Sequence, residues 1–319
     1  MSFKDVKGQD KAVQILRSYI EQSHLKGGYI FAGPEGVGKK LVANTLAKTV
    51  NCLEAQLDSC DSCPSCRKIE DKQHPDVHII ESGDSEIKIE YIRQLQREIN
   101  LKPYEGRKKV FIIDNAHNLT AEASNAMLKI LEEPPSNSLI ILISDKPSLL
   151  FGTIISRCKT LRFFPIARTE LQGFFKRDYG LDDNAAHFLA YFSEGRIGCA
   201  LRLKDTDMFR EKNRVIDAFA FGRKRGLENI PVQSRENVRS YLNILATWFR
   251  DIYLIKIGMP HSELINFDRR EDLLRLMSGF SFQELNEILN SISDSIVYLE
   301  QNINIRLLLY NLGAQLWRG

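Results

Sequence analysis

The sequence predicts an α/β domain on an open parallel sheet, interrupted by a cysteine-rich insertion and followed by two all-helical parts. Three observations carry that expectation. Strand-like apolar runs alternate with helix-period segments over residues 1 to about 165. The run Val110-Phe111-Ile112-Ile113 is apolar at every position, as a central strand covered on both faces must be. After Pro165 the strand pattern stops and helical spacing takes over. The expected domains are 1–166 (with the cysteine module within 51–67), a small helical module at 167–206, and a helical bundle or oligomerisation collar at 207–319.

Taken in order, a helix at 11–21 leads to the strand 29–32, a glycine-rich turn and a helix from Lys39 to about Val50. The cysteine segment follows, then the strand Val77-His78-Ile79-Ile80. Ile92, Leu95 and Ile99 stand at helical spacing in 89–100. A helix over 121–133 buries Ala126, Met127, Ile130 and Leu131, and Pro134-Pro135 ends it. Residues 139–143 and 161–164 read as two further buried strands. Amphipathic stretches at 171–179 and 185–192 fall in the small helical module, and 238–255, 282–298 and 303–317 in the helical last third.

Composition narrows the function classes. With 319 residues and 43% hydrophobic content the chain can bury several cores. A net charge of +3 excludes a broadly polyanion-seeking protein, so any nucleic-acid contact must come from a local patch. No apolar run approaches the roughly 20 residues that span a bilayer, so no membrane partner is expected. Met1-Ser2-Phe3-Lys4-Asp5 turns polar at once, so a secretory leader is not expected and a cytoplasmic location is. The histidines show no pairing suited to metal or nucleophilic chemistry, and no Ser/His/Asp arrangement is evident.

Gly33-Pro34-Glu35-Gly36-Val37-Gly38-Lys39-Lys40 follows a strand and opens a helix, the setting of a phosphate-binding loop. Gly33, Gly36 and Gly38 let backbone N–H groups curl around phosphate oxygens, and Lys39 can reach a terminal phosphate. The next position calls for a Ser or Thr hydroxyl to ligate Mg²⁺, and Lys40 stands there. A protonated ammonium has no lone pair for a metal. Asp114-Asn115 ends the strand 110–113, where a hydrolase places a metal-binding acid and a general base. Asp114 remains able to join a metal shell, but the neutral amide of Asn115 accepts no proton near pH 7. The expected ligand is ATP or ADP without turnover. A loop kept for its shape, with Asp114-Asn115 as a strand-end turn, is the other reading.

Cys52, Cys60, Cys63 and Cys66 are spaced C-x₇-C-x₂-C-x₂-C. Two successive C-x₂-C steps let four thiolates converge on one Zn²⁺ and close its tetrahedral shell, which makes the site structural. Cys158 and Cys199 stand apart and are expected to be small buried thiols. Arg93, Arg97, Lys102, Arg107, Lys108 and Lys109 form a basic run that reads either as a solvated face or as a track for DNA phosphates.

The phosphate loop, the cysteine insertion, Asp114, Leu131-Glu132-Glu133-Pro134-Pro135 and Ser156-Arg157-Cys158 occur in an order that resembles the bacterial DNA polymerase III clamp-loader subunits, within the AAA+ superfamily. The opening Phe3-Lys4-Asp5-Val6-Lys7-Gly8-Gln9 is similar too. The resemblance covers residues 1–204 well and the remainder only as a helical collar. It implies an AAA+ P-loop domain, a lid and an oligomerisation collar. Lys40 and Asn115 depart from the motor subunits, and Gly198 stands where their lid carries a sensor arginine. Together with Ile89–Leu95 and Lys102–Arg107, these departures resemble the delta-prime branch. The resemblance then implies a non-hydrolysing subunit that helps load the sliding clamp onto primed DNA. It also implies gamma/tau-like motors and a delta-like subunit as partners, with Arg157 as an arginine finger donated in trans. An active motor subunit, or a zinc-dependent DNA-binding module unrelated to clamp loading, are the alternatives.

Overall fold

The computed structural model describes residues 1–81, 83, 85–220, 234–301 and 303–316. The helical expectation for 221–233 and for Trp317 lies outside the described residues. The chain forms two units: Met1–Ile166 with Arg196–Cys199, and Ala167–Gly195 with Ala200–Gly319.

In the first unit, α1 (Asp10–Glu21), β1 (Gly27–Ala32), α2 (Lys39–Asn51), α3 (Pro64–Glu70), β2 (Val77–Ile80) and α4 (Ile89–Ile99) follow one another. They continue as β3 (Lys109–Ile113), α5 (Ala121–Glu132), β4 (Ser138–Ser144), α6 (Gly152–Ile155) and β5 (Cys158–Arg162). The five strands pair in the order β2-β3-β4-β1-β5, all parallel. Alternation along each strand divides the core into two layers. Phe31, Ile112 and Ile141 pack with Leu16, Val42 and Leu46 on one face. Ile30, Phe111 and Ile140 pack with Ile92, Leu95, Met127 and Ile130 on the other. The apolar runs of β3 and β4 are buried at every residue, as doubly covered strands require.

The last strand differs from the expectation of 161–164. It begins at Cys158, and Phe164 at its expected end is 59% exposed. β5 is an edge strand paired only with β1, and Leu161 alone of its five residues is buried, so no continuous apolar run marks it. α3 and α6 were also not foreseen, being too short to show a helical period. α5 starts where Thr120 accepts the Ala123 amide and ends ahead of Pro134-Pro135.

The second unit is helical throughout its described residues. Its helices are α7 (Arg168–Tyr179), α8 (Asp183–Phe192), α9 (Ile197–Asp205), whose first turn belongs to the first unit, and α10 (Met208–Ala220). After these come α11 (Arg235–Lys256), α12 (Arg270–Leu276), α13 (Phe282–Glu300) and α14 (Ile305–Leu316). Leu242, Leu245, Trp248 and Phe249 of α11 form the centre of its core with Leu285, Ile292, Leu308 and Leu312. Asp251 is fully buried and accepts hydrogen bonds from the Ile265 amide and from both nitrogens of Asn266. Nearby, the buried Lys212 ammonium is neutralised by Asp268.

Candidate nucleotide site and metal centre

The glycine-rich loop is fixed from several sides. The Gly33 amide donates to Ser144 O at 3.2 Å, and a Cβ at Gly33 would lie 2.3 Å from Phe163 O. Gly36 and Gly38 have φ of +80° and +101°, conformations that glycine adopts without strain. Gln9 reaches across to Val37 O (3.1 Å) and Phe164 O (2.7 Å). The Gly198 amide donates to Gly36 O at 2.7 Å, and a Cβ at Gly198 would stand 3.0 Å from that oxygen. Gly198 thus has a packing reason of its own: it lets two backbones touch.

The two lysines are bound differently. Lys39 lies buried at the start of α2, and its ammonium donates to the carbonyls of Gly33 and Pro34. Burial lowers its pKa, against the opposing pull of Asp145, Asp114 and Glu35. Lys40 lies 2.9 Å from Asp114 Oδ2 and 3.3 Å from Glu81 Oε1. Partial burial works against its charge, but the bond to Asp114 and the field of Glu81 prevail and hold its pKa above the ordinary lysine value. Glu81 also takes the Lys72 ammonium at 2.8 Å.

Glu81 and Asp145 escaped the reading of the sequence. Both directly follow strands, at the carboxyl ends of β2 and β4, and Asp114 does the same after β3. An acidic residue just after a parallel strand was the available signal, because ligands of open α/β sheets bind at that edge. Asn115 has φ +51° and its amide nitrogen donates to Gly83 O at 3.0 Å. It shapes a left-handed turn, a conformation asparagine tolerates better than most residues.

The four sulfurs of Cys52, Cys60, Cys63 and Cys66 all lie within 4.8 Å of one another. Cys60 and Cys66 are 4.0 Å apart, close to the roughly 3.8 Å edge of a tetrahedron with metal–sulfur bonds of about 2.3 Å. Backbone amides of Ala55, Cys63 and Cys66 donate to the sulfurs of Cys52, Cys60 and Cys63, an arrangement that favours thiolates. Bonds from the Ser62 hydroxyl and the Cys63 amide lower the Cys60 thiol to about 7. The donor set fits a four-coordinate soft cation such as zinc. Around it, Asp58 accepts the Phe3 amide and pairs with Arg17, while Asp61 and Glu70 surround the buried Lys48 ammonium. The insertion is thereby tied to α1, α2 and the opening turn. Cys158 and Cys199 lie outside this group and are half-buried rather than buried as expected, and burial pushes the Cys158 thiol up to about 12.

Arg157 is not brought to this chain's own phosphate loop. It precedes β5, whose Cys158 pairs with Gly28 at the start of β1, whereas the loop follows the far end of β1. The two sites are therefore about one strand length apart, roughly 15 Å. Its guanidinium is half-fixed at the surface, with Glu132 Oε1 at 2.6 and 2.9 Å and Thr153 O at 3.0 Å. Leu149, Phe151 and Ile155, which precede it in the chain, are exposed. The basic run divides. Lys109 is buried 3.4 Å from Asp76, and Lys108 donates to Ser136 O, while Arg93, Arg97, Lys102 and Arg107 are exposed. Asp76 itself accepts the amides of Tyr104, Glu105 and Gly106, and Asn51 those of Arg107 and Lys108, so the loop after α4 is well anchored.

Residues 8–167 match the family model for the DNA polymerase III delta subunit, and residues 207–316 match its C-terminal model. The chain is 29% identical to the DNA polymerase III subunit delta' of Bacillus subtilis, over 98% of this chain and 97% of that one. It is 32% identical to the tau subunit of the same organism, over 64% of this chain and 37% of that one. It is also 37% identical to the gamma/tau subunit of Mycoplasma pneumoniae, over 53% of this chain and 25% of that one. It therefore spans nearly the whole delta' relative but much less than half of the other two. A gamma subunit-related protein from Thermotoga maritima shares the fold, with a TM-score of 0.51 at 18% identity over 96% of this chain and 98% of that one. Among the described residues no helix is long and apolar enough to cross a membrane.

Proposed function

The chain belongs to the DNA polymerase III delta-subunit family, and from that premise we propose that it is a non-hydrolysing subunit of the replicative clamp loader, of the delta-prime kind. The observation that carries this reading is the separation within one chain of the two halves of an ATPase. The phosphate loop, at one end of β1, has an ammonium paired to Asp114 where a metal-binding hydroxyl is needed. Arg157, near the other end, is too distant to serve that loop and is presented at the surface. Exposed Leu149, Phe151 and Ile155, just before it in the chain, suit an interface with a neighbouring gamma/tau-like motor subunit.

In that arrangement Arg157 is the arginine finger. Its planar guanidinium stabilises charge on the phosphoryl group leaving a neighbour's ATP, a contribution on the order of 10³–10⁵-fold in known phosphoryl transfer. Gly33, Gly36, Gly38 and Lys39 cradle a nucleotide that is not turned over, with Lys40 and Asp114 beside it. Cys52, Cys60, Cys63 and Cys66 hold a structural zinc. Residues 167–206 serve as the lid and 207–319 as the collar that joins this subunit to its partners, including a delta-like subunit. Arg93, Arg97, Lys102 and Arg107 supply phosphate contacts to primed DNA while the ring handles the sliding clamp.

The test is ATP hydrolysis by the purified chain with Mg²⁺, set beside a ring reconstituted with motor subunits and either wild type or Arg157→Ala. The expected result is no turnover by the chain alone and weakened ATPase and clamp loading by the mutant ring. Robust turnover by the isolated chain would favour the motor reading. An unchanged mutant ring would remove the role of Arg157.

A further inference from the structure

We infer that the phosphate loop takes a nucleoside di- or triphosphate without a divalent cation, with the Lys40 ammonium in the place of the metal. This deepens the reading of the loop as a nucleotide site and rests on that part of it alone. In a metal-using loop, the hydroxyl after the lysine and the strand-end aspartate hold Mg²⁺ against the phosphates. Here that aspartate is engaged: Asp114 Oδ2 lies 2.9 Å from Lys40, and Glu81 closes on the same ammonium at 3.3 Å. These carboxylates follow β2 and β3, which are neighbours in the sheet, so the ammonium sits between two adjacent strand ends.

Mg²⁺ requires near-octahedral oxygen ligands at about 2.0–2.1 Å. Position 40 offers no oxygen, and its positive charge would lie within a few ångströms of the cation. Like charges at that distance repel, more strongly away from bulk water. The ammonium, by contrast, needs no coordination sphere. It has three N–H donors, and Asp114 and Glu81 occupy two, which leaves one for a phosphate oxygen. Lys39 repeats the pattern, with two donors on the Gly33 and Pro34 carbonyls and a third left over. Two anchored ammoniums and the amino end of the thirteen-residue α2 thus face a polyphosphate that metal-using relatives meet with one lysine and one cation. Glu81 gives the site its asymmetry, since it reaches Lys40 without belonging to the loop motif.

Calorimetric titration of the full chain with ADP and with ATP, in EDTA and in Mg²⁺, tests the inference. Wild type is expected to bind at least as tightly in EDTA as in Mg²⁺, because excess Mg²⁺ ties up the free polyphosphate as its chelate. Lys40→Thr, checked by a cooperative melting curve to remain folded, supplies the hydroxyl and frees Asp114. Its binding is expected to tighten about tenfold or more when Mg²⁺ replaces EDTA, which is roughly 1.4 kcal/mol. Wild-type binding that weakens tenfold in EDTA would overturn the inference. So would a Lys40→Thr chain indifferent to Mg²⁺. Absence of binding in every condition would overturn the nucleotide reading of the loop as well, yet leave Arg157 to be judged separately by the reconstituted ring.

Discussion

The phosphate loop and the cysteine module lie on the same unit, and they differ in what they are made of. The loop is a backbone site: its shape depends on positive φ at Gly36 and Gly38 and on close approaches at Gly33 and Gly198. Lys40 and Asn115 stand beside it, and the glycine conformations that set its shape do not depend on them. The module is a side-chain site, with four sulfurs that converge only if all four residues are cysteine. A backbone site can therefore keep its form whichever side chains stand beside it, whereas a side-chain site loses form and chemistry together. Completeness of the motif is strong evidence for the module and weak evidence for the loop.

Four substitutions test that contrast. The largest effect is expected for Cys63→Ser. A structural zinc contributes on the order of 10 kcal/mol to the folding of a small isolated domain, and part of that should be felt locally here. Limited proteolysis should cut residues 52–70 rapidly while β1, β3 and β4 stay protected, and bound zinc should fall below one per chain. A protease-resistant module without metal would break the comparison. Asp76→Ala comes next, because it strands three amides and the buried Lys109; a loss of about 3–5 kcal/mol in denaturant unfolding is expected. Burial opposes the Asp76 charge, but the three amides and Lys109 more than compensate and hold its pKa below the ordinary value. Its stabilisation is thus complete above about pH 4 and is lost as pH falls through the lower, folded value. A pH series should show a shallower acid limb for Asp76→Asn than for wild type.

The two smaller effects both fall in the loop. Gly36→Ala places a Cβ 3.0 Å from the Cys199 amide at a φ of +80°, so a loss of about 1–3 kcal/mol is expected by thermal unfolding. Lys40→Thr should cost under about 1 kcal/mol, since the ion pair it removes is 40% exposed on the lysine side and solvent screens it. If the order of these two were reversed, the loop would be held by its side chains, and the distinction drawn above would fail.

The sequence was most readable where the pattern is local. The apolar runs of β3 and β4, the spacing of Ile92, Leu95 and Ile99, and the proline stop after α5 all have physical causes within a few residues. The metal-ligating spacing was equally plain, because C-x₂-C steps dictate convergence by themselves. What escaped lies in partners brought from afar. Glu81 meets Lys40 only because β2 and β3 are adjacent in the sheet. Lys109 left the basic run because Asp76 draws it inward. β5 was misplaced because an edge strand has one covered side and gives a weaker signal than a central one. Gly198 read as a missing arginine, and only its distance to Gly36 reveals the contact that excludes a side chain.

That contact also makes the loop's own fluctuations measurable. The Gly198 proton is held by Gly36 O, so it exchanges with deuterated solvent only when that bond opens. Its protection factor is then a local thermometer for the loop. A ligand that settles there should slow this single amide before any change is visible in the bulk melting curve.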